Sequence, residues 1–137
     1  MKRTDRRSDC PTNFALQSFG DSWSLLIIRD LMFKRKHTFS EFANSEERIS
    51  TNILTSRLSQ LQESGIIRRD GEAKSTRYYL TRRGMDLLPT MVEMIVWSAG
   101  HDPDSAAPTS FVELARSNRP ALLRELERRV MDEHGAG

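Results

Sequence analysis

Residues 49–65, Ile49-Ser-Thr-Asn-Ile-Leu-Thr-Ser-Arg-Leu-Ser-Gln-Leu-Gln-Glu-Ser-Gly65, hold the pattern on which the fold turns. Ser50 is of the type that accepts from the first free amides of a helix, so it is the expected N-cap. Ile53, Leu54, Leu58 and Leu61 recur at three- and four-residue steps, which is one stripe of an α-helix. Gly65 stands where a left-handed cap ends such a helix. The opposite face carries Thr51, Asn52, Thr55, Ser56, Ser59 and Gln62, with Arg57 beside them. A helix face that is only solvated more often carries Glu and Lys, which have higher helix propensity. Short, uncharged hydrogen-bonding groups suit a helix that approaches base edges in the major groove without repelling phosphates. Residues Ser50 to Ser56 are therefore the candidate DNA-reading surface.

The residues around this helix supply its context. Ile66-Ile-Arg-Arg69 predicts a short strand, Asp70 to Thr76 a polar turn, and Arg77-Tyr-Tyr-Leu80 the returning strand. Helix, turn, helix and then a basic hairpin make the winged form of the helix-turn-helix. Arg57, Arg68, Arg69, Lys74 and Arg77 are the expected phosphate contacts. Upstream, Pro11 to Phe19 predicts a short helix stopped by Gly20. Ser22 is the expected cap of a helix running through Trp23 to Met32, apolar round most of its circumference and so central, with Trp23 as a core anchor. Thr38, with Glu41 three residues on, has the form of a capping box ahead of Phe39 and Phe42.

Downstream, Thr81 is the expected cap of a long helix from Arg82 to about Ala99, in which Pro89 predicts a kink or break. Its apolar residues cover too wide an arc to pack against one small domain. Leu87, Leu88, Met91, Met94, Ile95 and Trp97, with Phe14 and Phe19 of the first helix, are the expected interface of a homodimer, since a monomer would expose a large apolar patch. Two reading helices related by a two-fold axis lie about 34 Å apart, so the matching partner is a palindromic operator in double-stranded DNA. Residues 102–108, with two prolines and two aspartates, predict a linker. The fold class expected is mainly α with a small β-hairpin wing: a winged helix-turn-helix with flanking dimerisation helices. Residues 1–101 form the DNA-binding domain with its dimerisation helices. Residues 102–137 form the linker and a C-terminal helical extension, divided by Pro120.

Composition excludes several other classes. A chain of 137 residues has room for one domain and an appendage. Its 37% hydrophobic and 29% charged residues describe a charged, water-facing surface. The longest apolar run, near Leu25 to Ile28, falls far below the ~20 residues of a membrane span, so a cytoplasmic protein with no membrane partner is expected. The net charge of +2 conceals basic clusters at Lys2 to Arg7, Lys34 to His37, Arg68-Arg69 and Lys74 to Arg83, which fit a polyanion. A single cysteine, Cys10, excludes an intrachain disulfide or a thiolate metal cluster, and neither metal nor cofactor is expected. There is no nucleophile-elbow spacing and no glycine-rich phosphate loop, so no catalytic residue is assigned and the chain is not expected to be an enzyme. His37, His101 and His134 read as surface histidines, and Glu46-Glu47 as solvated charge. A winged helix that binds protein is the alternative; it calls for exposed aromatic or aliphatic residues on the reading face, where Thr, Asn, Ser and Gln stand instead.

Cys10-Pro11, Gly20-Asp-Ser-Trp-Ser-Leu-Leu-Ile-Ile-Arg-Asp-Leu31, Phe39-Ser-Glu-Phe42, Ile49 to Leu61, Ser64-Gly-Ile-Ile-Arg-Arg69, Tyr79-Leu-Thr-Arg-Arg-Gly84 and Leu88-Pro89 together resemble the HxlR family. The likeness covers roughly residues 10 to 100 in the same order, which is more specific than any single motif. That family consists of bacterial dimeric winged-helix regulators related to the MarR type, and the resemblance implies repression more often than activation. Two departures stand out. Ser22 occupies a position usually basic in the family, and the wing is short and proline-free. Cys10 falls at the family's Cys-Pro position, where a number of members sense electrophiles or oxidants, so the resemblance implies redox sensing by Cys10. Lys2, Arg3, Arg6, Arg7 and the following helix N-terminus favour a thiolate there, while Asp9 opposes it. The alternative is an inert thiol, with a small-molecule effector or none.

Overall fold

Capping chemistry sets where the helices of the first half begin and end. The structure is a computed structural model that describes residues 7–135. The expected basic residues Lys2, Arg3 and Arg6, and the last two residues of the Gly135-Ala-Gly end, lie outside the described residues. Helix α1 (Pro11–Phe19) opens on a proline, whose missing amide is no loss in a first turn. Helix α2 (Ser22–Phe33) is capped by Asp21, whose carboxylate accepts from the Ser24 amide at 2.9 Å. Ser22, the expected cap, is instead the first helical residue. An ionised carboxylate satisfies the free amide more strongly than a hydroxyl and complements the helix dipole. Helix α3 (Phe39–Ala43) has the full capping box of Thr38 and Glu41.

Helix α4 (Thr51–Glu63) starts at Ser50, which accepts from the Ile53 amide at 3.3 Å. It ends in a Schellman motif: the Gly65 amide donates to the Gln62 carbonyl and the Ile66 amide to the Leu61 carbonyl, with Gly65 at φ 74°. Strand β1 (Ile67–Asp70) follows at once and pairs antiparallel with β2 (Arg77–Leu80), with Ile67 opposite Leu80 and Asp70 opposite Arg77. One 3-10 turn, Ala73–Ser75, lies in the connection. Ile27, Ile28 and Leu31 of α2, Phe42 of α3, and Leu54, Leu58 and Leu61 of α4 are buried with Ile66, Ile67 and Leu80. Trp23 is only half-buried, lining a small recess with Ile27, Phe42 and Ile49.

His37 corrects the surface reading. It is 5% exposed, its ring lies 4.7 Å from that of Tyr79, and its Nδ1 is 2.9 Å from the Tyr78 carbonyl. Its own carbonyl accepts the Tyr78 amide at 2.7 Å. The segment before α3 thus runs beside β2 as an edge partner, which no local sequence pattern announces. The Thr81 hydroxyl bridges the far end of the hairpin, donating to the Gly65 carbonyl and accepting from the Gly84 amide.

The chain divides into two compact units, Met1–Gly84 and Met85–Gly137. The expected long helix is broken next to Pro89, as expected, into α5 (Arg82–Met85) and α6 (Leu88–His101), with Pro89 in the first turn of α6. Proline breaks a helix interior but suits its start. In the second unit α6 packs on α7 (Thr109–Ser117) and α8 (Arg119–His134). The contact boundary therefore groups α6 with the residues after it, whereas the sequence reading placed a division after residue 101. Asn118 caps α8 by accepting from the Ala121 amide, and Pro120 sits in its first turn. Leu122, Leu126, Val130 and His134 form the buried stripe of α8. His134 is thus a second buried histidine where a surface one was expected, at the fourth position of a four-residue repeat. His101 is exposed and stacked on Trp97, with ring centroids 4.4 Å apart. No described helix is long and apolar enough to cross a membrane.

Candidate nucleic-acid interface

The apolar stripe of α4 faces the core and turns the other side of the helix to solvent. Ser50, Thr51, Asn52, Thr55, Ser56, Ser59 and Gln60 are all exposed. None of the first six is an anion or an aliphatic group, so this strip presents only donors and acceptors of neutral type. Arg57, at its edge, is half-buried and bound: its Nε donates to Asp21 at 3.0 Å. Burial opposes ionisation of Asp21, but the Ser24 hydroxyl and amide and then Arg57 outweigh it and lower its pKa. The α2 cap is thereby tied to the flank of α4.

On the hairpin, Arg69, Lys74 and Arg77 are exposed. Arg68 is half-buried, its guanidinium 4.6 Å from the centre of the Tyr79 ring and 3.4 Å from an Asp70 oxygen. Of the five cations read from the sequence as phosphate contacts, three are exposed, although Arg69 donates to the Thr76 hydroxyl at 3.4 Å and Arg77 to the Tyr79 hydroxyl at 3.3 Å. Arg57 and Arg68 are half-buried, in contacts with Asp21 and with Tyr79 and Asp70 respectively. A groove beside the hairpin is lined by Arg69, Lys74, Thr76 and Tyr78 and by Thr38, Phe39 and Ser40 at the start of α3. The last three were missed in sequence. The capping box locates the helix start but carries no sign that it abuts the hairpin.

The turn between α3 and α4 is held by a charged clip. Arg29 donates to both Glu47 oxygens, at 2.7 and 2.9 Å, and to Asp30. Arg29 holds the Glu47 carboxyl at about 2, well below its ordinary 4.5. Glu47 was read as solvated charge; it is a paired residue instead, reached from 18 positions away. Buried Asp30 accepts the Ser45 hydroxyl at 2.6 Å, and Ser45 accepts from Lys36 at 2.7 Å.

Cys10 is exposed and directly precedes α1. The backbone amides of Asn13 and Thr12, then the Thr12 hydroxyl, lower the thiol pKa, although the sulfur closes no capping hydrogen bond. Helix α1 buries none of its residues: Phe14 and Phe19 are half-buried and Leu16 is exposed. In α6, Leu88 and Met91 are buried, Ile95 is half-buried like Leu87 just ahead of the helix, and Met94 and Trp97 are exposed at 43% and 63%.

Comparison with known proteins gives a consistent set of likenesses. A family model described as HxlR-like helix-turn-helix matches residues 18–105. An uncharacterized HTH-type transcriptional regulator of Synechocystis sp. is 33% identical over 88 residues, which is 62% of this chain and 64% of that protein. The chain thus spans slightly less than two thirds of that relative's length. Among solved structures, PA1607, designated a candidate transcription factor, matches with a TM-score of 0.65 at 32% identity, over 74% of this chain and 73% of that one. The redox regulator HypR in its oxidized form matches with a TM-score of 0.59 at 29% identity, over 66% of this chain and 96% of that one.

Proposed function

The chain belongs to the HxlR-like helix-turn-helix family, and on that premise we propose that it is a transcriptional regulator that binds double-stranded DNA as a homodimer and represses the genes it controls. One observation carries this reading: the exposed neutral face of α4 next to a hairpin that projects Arg69, Lys74 and Arg77. Ser50, Thr51, Asn52, Thr55 and Ser56 address base edges, and the three projecting cations address phosphates. Arg57 and Arg68 act mainly by holding α4 and the wing in shape. Met94 and Trp97 on α6, and Phe14, Leu16 and Phe19 on the unburied α1, are the surfaces that a second copy covers. The functional division is the DNA-binding region 1–101 and the linker with its helical extension, 102–137. The protein works in the cytoplasm and catalyses no reaction.

Regulation on this reading runs through Cys10, exposed and lowered in pKa. A similar protein, HypR, is a redox regulator solved in oxidized and reduced forms. With one thiol per chain, oxidation yields an adduct, a sulfenic acid or a disulfide with the other subunit's Cys10. Any of these, beside α1, shifts the spacing of the two reading helices and releases DNA.

Selection from a random duplex library tests the core of the proposal. The wild-type chain should enrich a two-fold symmetric sequence with half-sites about one helical turn apart. Enrichment of no sequence, or of an asymmetric one, overturns it. Titration with diamide should then release the selected duplex from the wild type and not from Cys10→Ser; equal behaviour of the two proteins removes the thiol switch.

A further inference from the structure

The turn that leads into α4 contains a residue whose identity the fold does not account for. Arg48 has φ 56°, in the left-handed region where glycine is the least strained residue and a side chain is penalised. The turn explains the conformation: the Arg48 amide donates to the Ser45 carbonyl at 3.0 Å, the next residue, Ile49, is buried, and Ser50 caps α4. Nothing in the turn explains an arginine there. The side chain is exposed and, among the described residues, makes no hydrogen bond, ion pair or ring contact. The adjacent carboxylate of Glu47 is occupied by both terminal nitrogens of Arg29 and so does not neutralise Arg48. The next exposed residues along the chain are Ser50, Thr51 and Asn52, the start of the reading face.

We infer that Arg48 is a DNA-binding residue that grips a backbone phosphate at the entry of α4 and sets how that helix seats in the groove. A guanidinium is a planar fork of donors that stays charged, the group best matched to phosphate oxygens. Placed two residues ahead of the helix cap, it anchors the end of α4 that bears Thr51 and Asn52. The assignment rests on α4 being the reading helix.

Strain and binding have opposite signs at this residue, which makes the test sharp. The full chain is compared as wild type, Arg48→Gly, Arg48→Asn and Arg48→Lys against the duplex that the wild type selects from a random library. Glycine relieves the left-handed backbone, so the urea midpoint of Arg48→Gly should equal or exceed that of the wild type. Its affinity should nevertheless fall about tenfold for each subunit, the worth of one charge-assisted contact, and so about a hundredfold for the dimer. The slope of log affinity against log salt should become shallower by about 0.9 per subunit, with base preference unchanged. Arg48→Asn should follow Arg48→Gly, and Arg48→Lys should restore the slope. Unchanged affinity and slope in Arg48→Gly overturn the inference. So does a loss of affinity accompanied by a lower midpoint, which marks a structural role, or a changed preference at one base pair, which marks a base reader. A wild type that selects no duplex overturns the reading of α4 itself, and this inference with it; a wild type that selects one while the variants bind equally well removes Arg48 alone.

Discussion

Asn52 and Glu47 lie close in sequence yet answer to different parts of the structure. Asn52 is exposed on the reading face, and its amide can pair with N6 and N7 of adenine. On the proposed reading, Asn52→Ala relaxes preference at one position per half-site and costs about 1–3 kcal/mol of binding; a selection and affinity measurement that match the wild type refute it. Glu47 acts on stability. Its carboxyl is lowered from 4.5 to about 2 by Arg29, so its contribution is complete above the unfolded value near 4.5 and is lost as pH falls through 2. The pair is partly solvated, so Glu47→Gln should cost only about 0.5–1 kcal/mol at pH 7. That difference in urea denaturation should shrink steadily below pH 4.5, and a constant difference down to pH 2.5 would show that the pair contributes nothing. The neutral face of α4 was readable in the sequence because it is a local pattern at one spacing. The fate of Glu47, Arg57, Arg68 and His37 was not, since each is decided by a partner on another element: Arg29, Asp21, Tyr79 and Tyr78.

Two glycines separate conformational from steric demand at the element scale. Gly65 sits at φ 74°, and a Cβ there would meet only the Cδ of Arg83, at an ordinary 3.6 Å. Gly65→Ala should therefore lose about 1–2 kcal/mol, the cost of a left-handed residue. Gly84 lies in the ordinary helical turn of α5, where alanine usually helps. A Cβ at Gly84, however, runs into the Ile66 carbonyl, a backbone group that cannot rotate away. Gly84→Ala should lose about 3 kcal/mol, at the upper end of overpacking costs, and equal urea midpoints for the two variants would contradict this account. The first position was legible, since glycine after an apolar helical stripe signals a stop. The second was not, because it depends on how closely α5 passes Ile66, the residue just ahead of β1. Boundaries were legible where one residue governs them, as at Thr38, Ser50 and Pro120. The start of α2 slipped by one residue because Asp21 and Ser22 both have capping side chains and the carboxylate won.

For the whole molecule, the proposed dimer makes a prediction that does not depend on DNA sequence. Trp97 is 63% exposed and Met94 43%, an arrangement that a second copy would cover. Trp97→Glu should sediment at the mass of one chain, 15.8 kDa. It should also lose at least a hundredfold in affinity for a two-half-site duplex, as the second contact ceases to be intramolecular. A variant that stays dimeric would move the interface elsewhere, to α1 first. The helical nature of both units and the break at Pro89 were visible in sequence, whereas the grouping of α6 with α7 and α8 depends on long-range packing that no periodicity encodes. The Schellman cap at Gly65 has a consequence for selectivity. The Ile66 amide is bonded back into α4 and Ile67 is already in the hairpin, so no slack residue separates the two. On the proposed reading, helix and wing meet the duplex as one gauge of fixed opening, and a duplex whose local width misfits one jaw is refused by both.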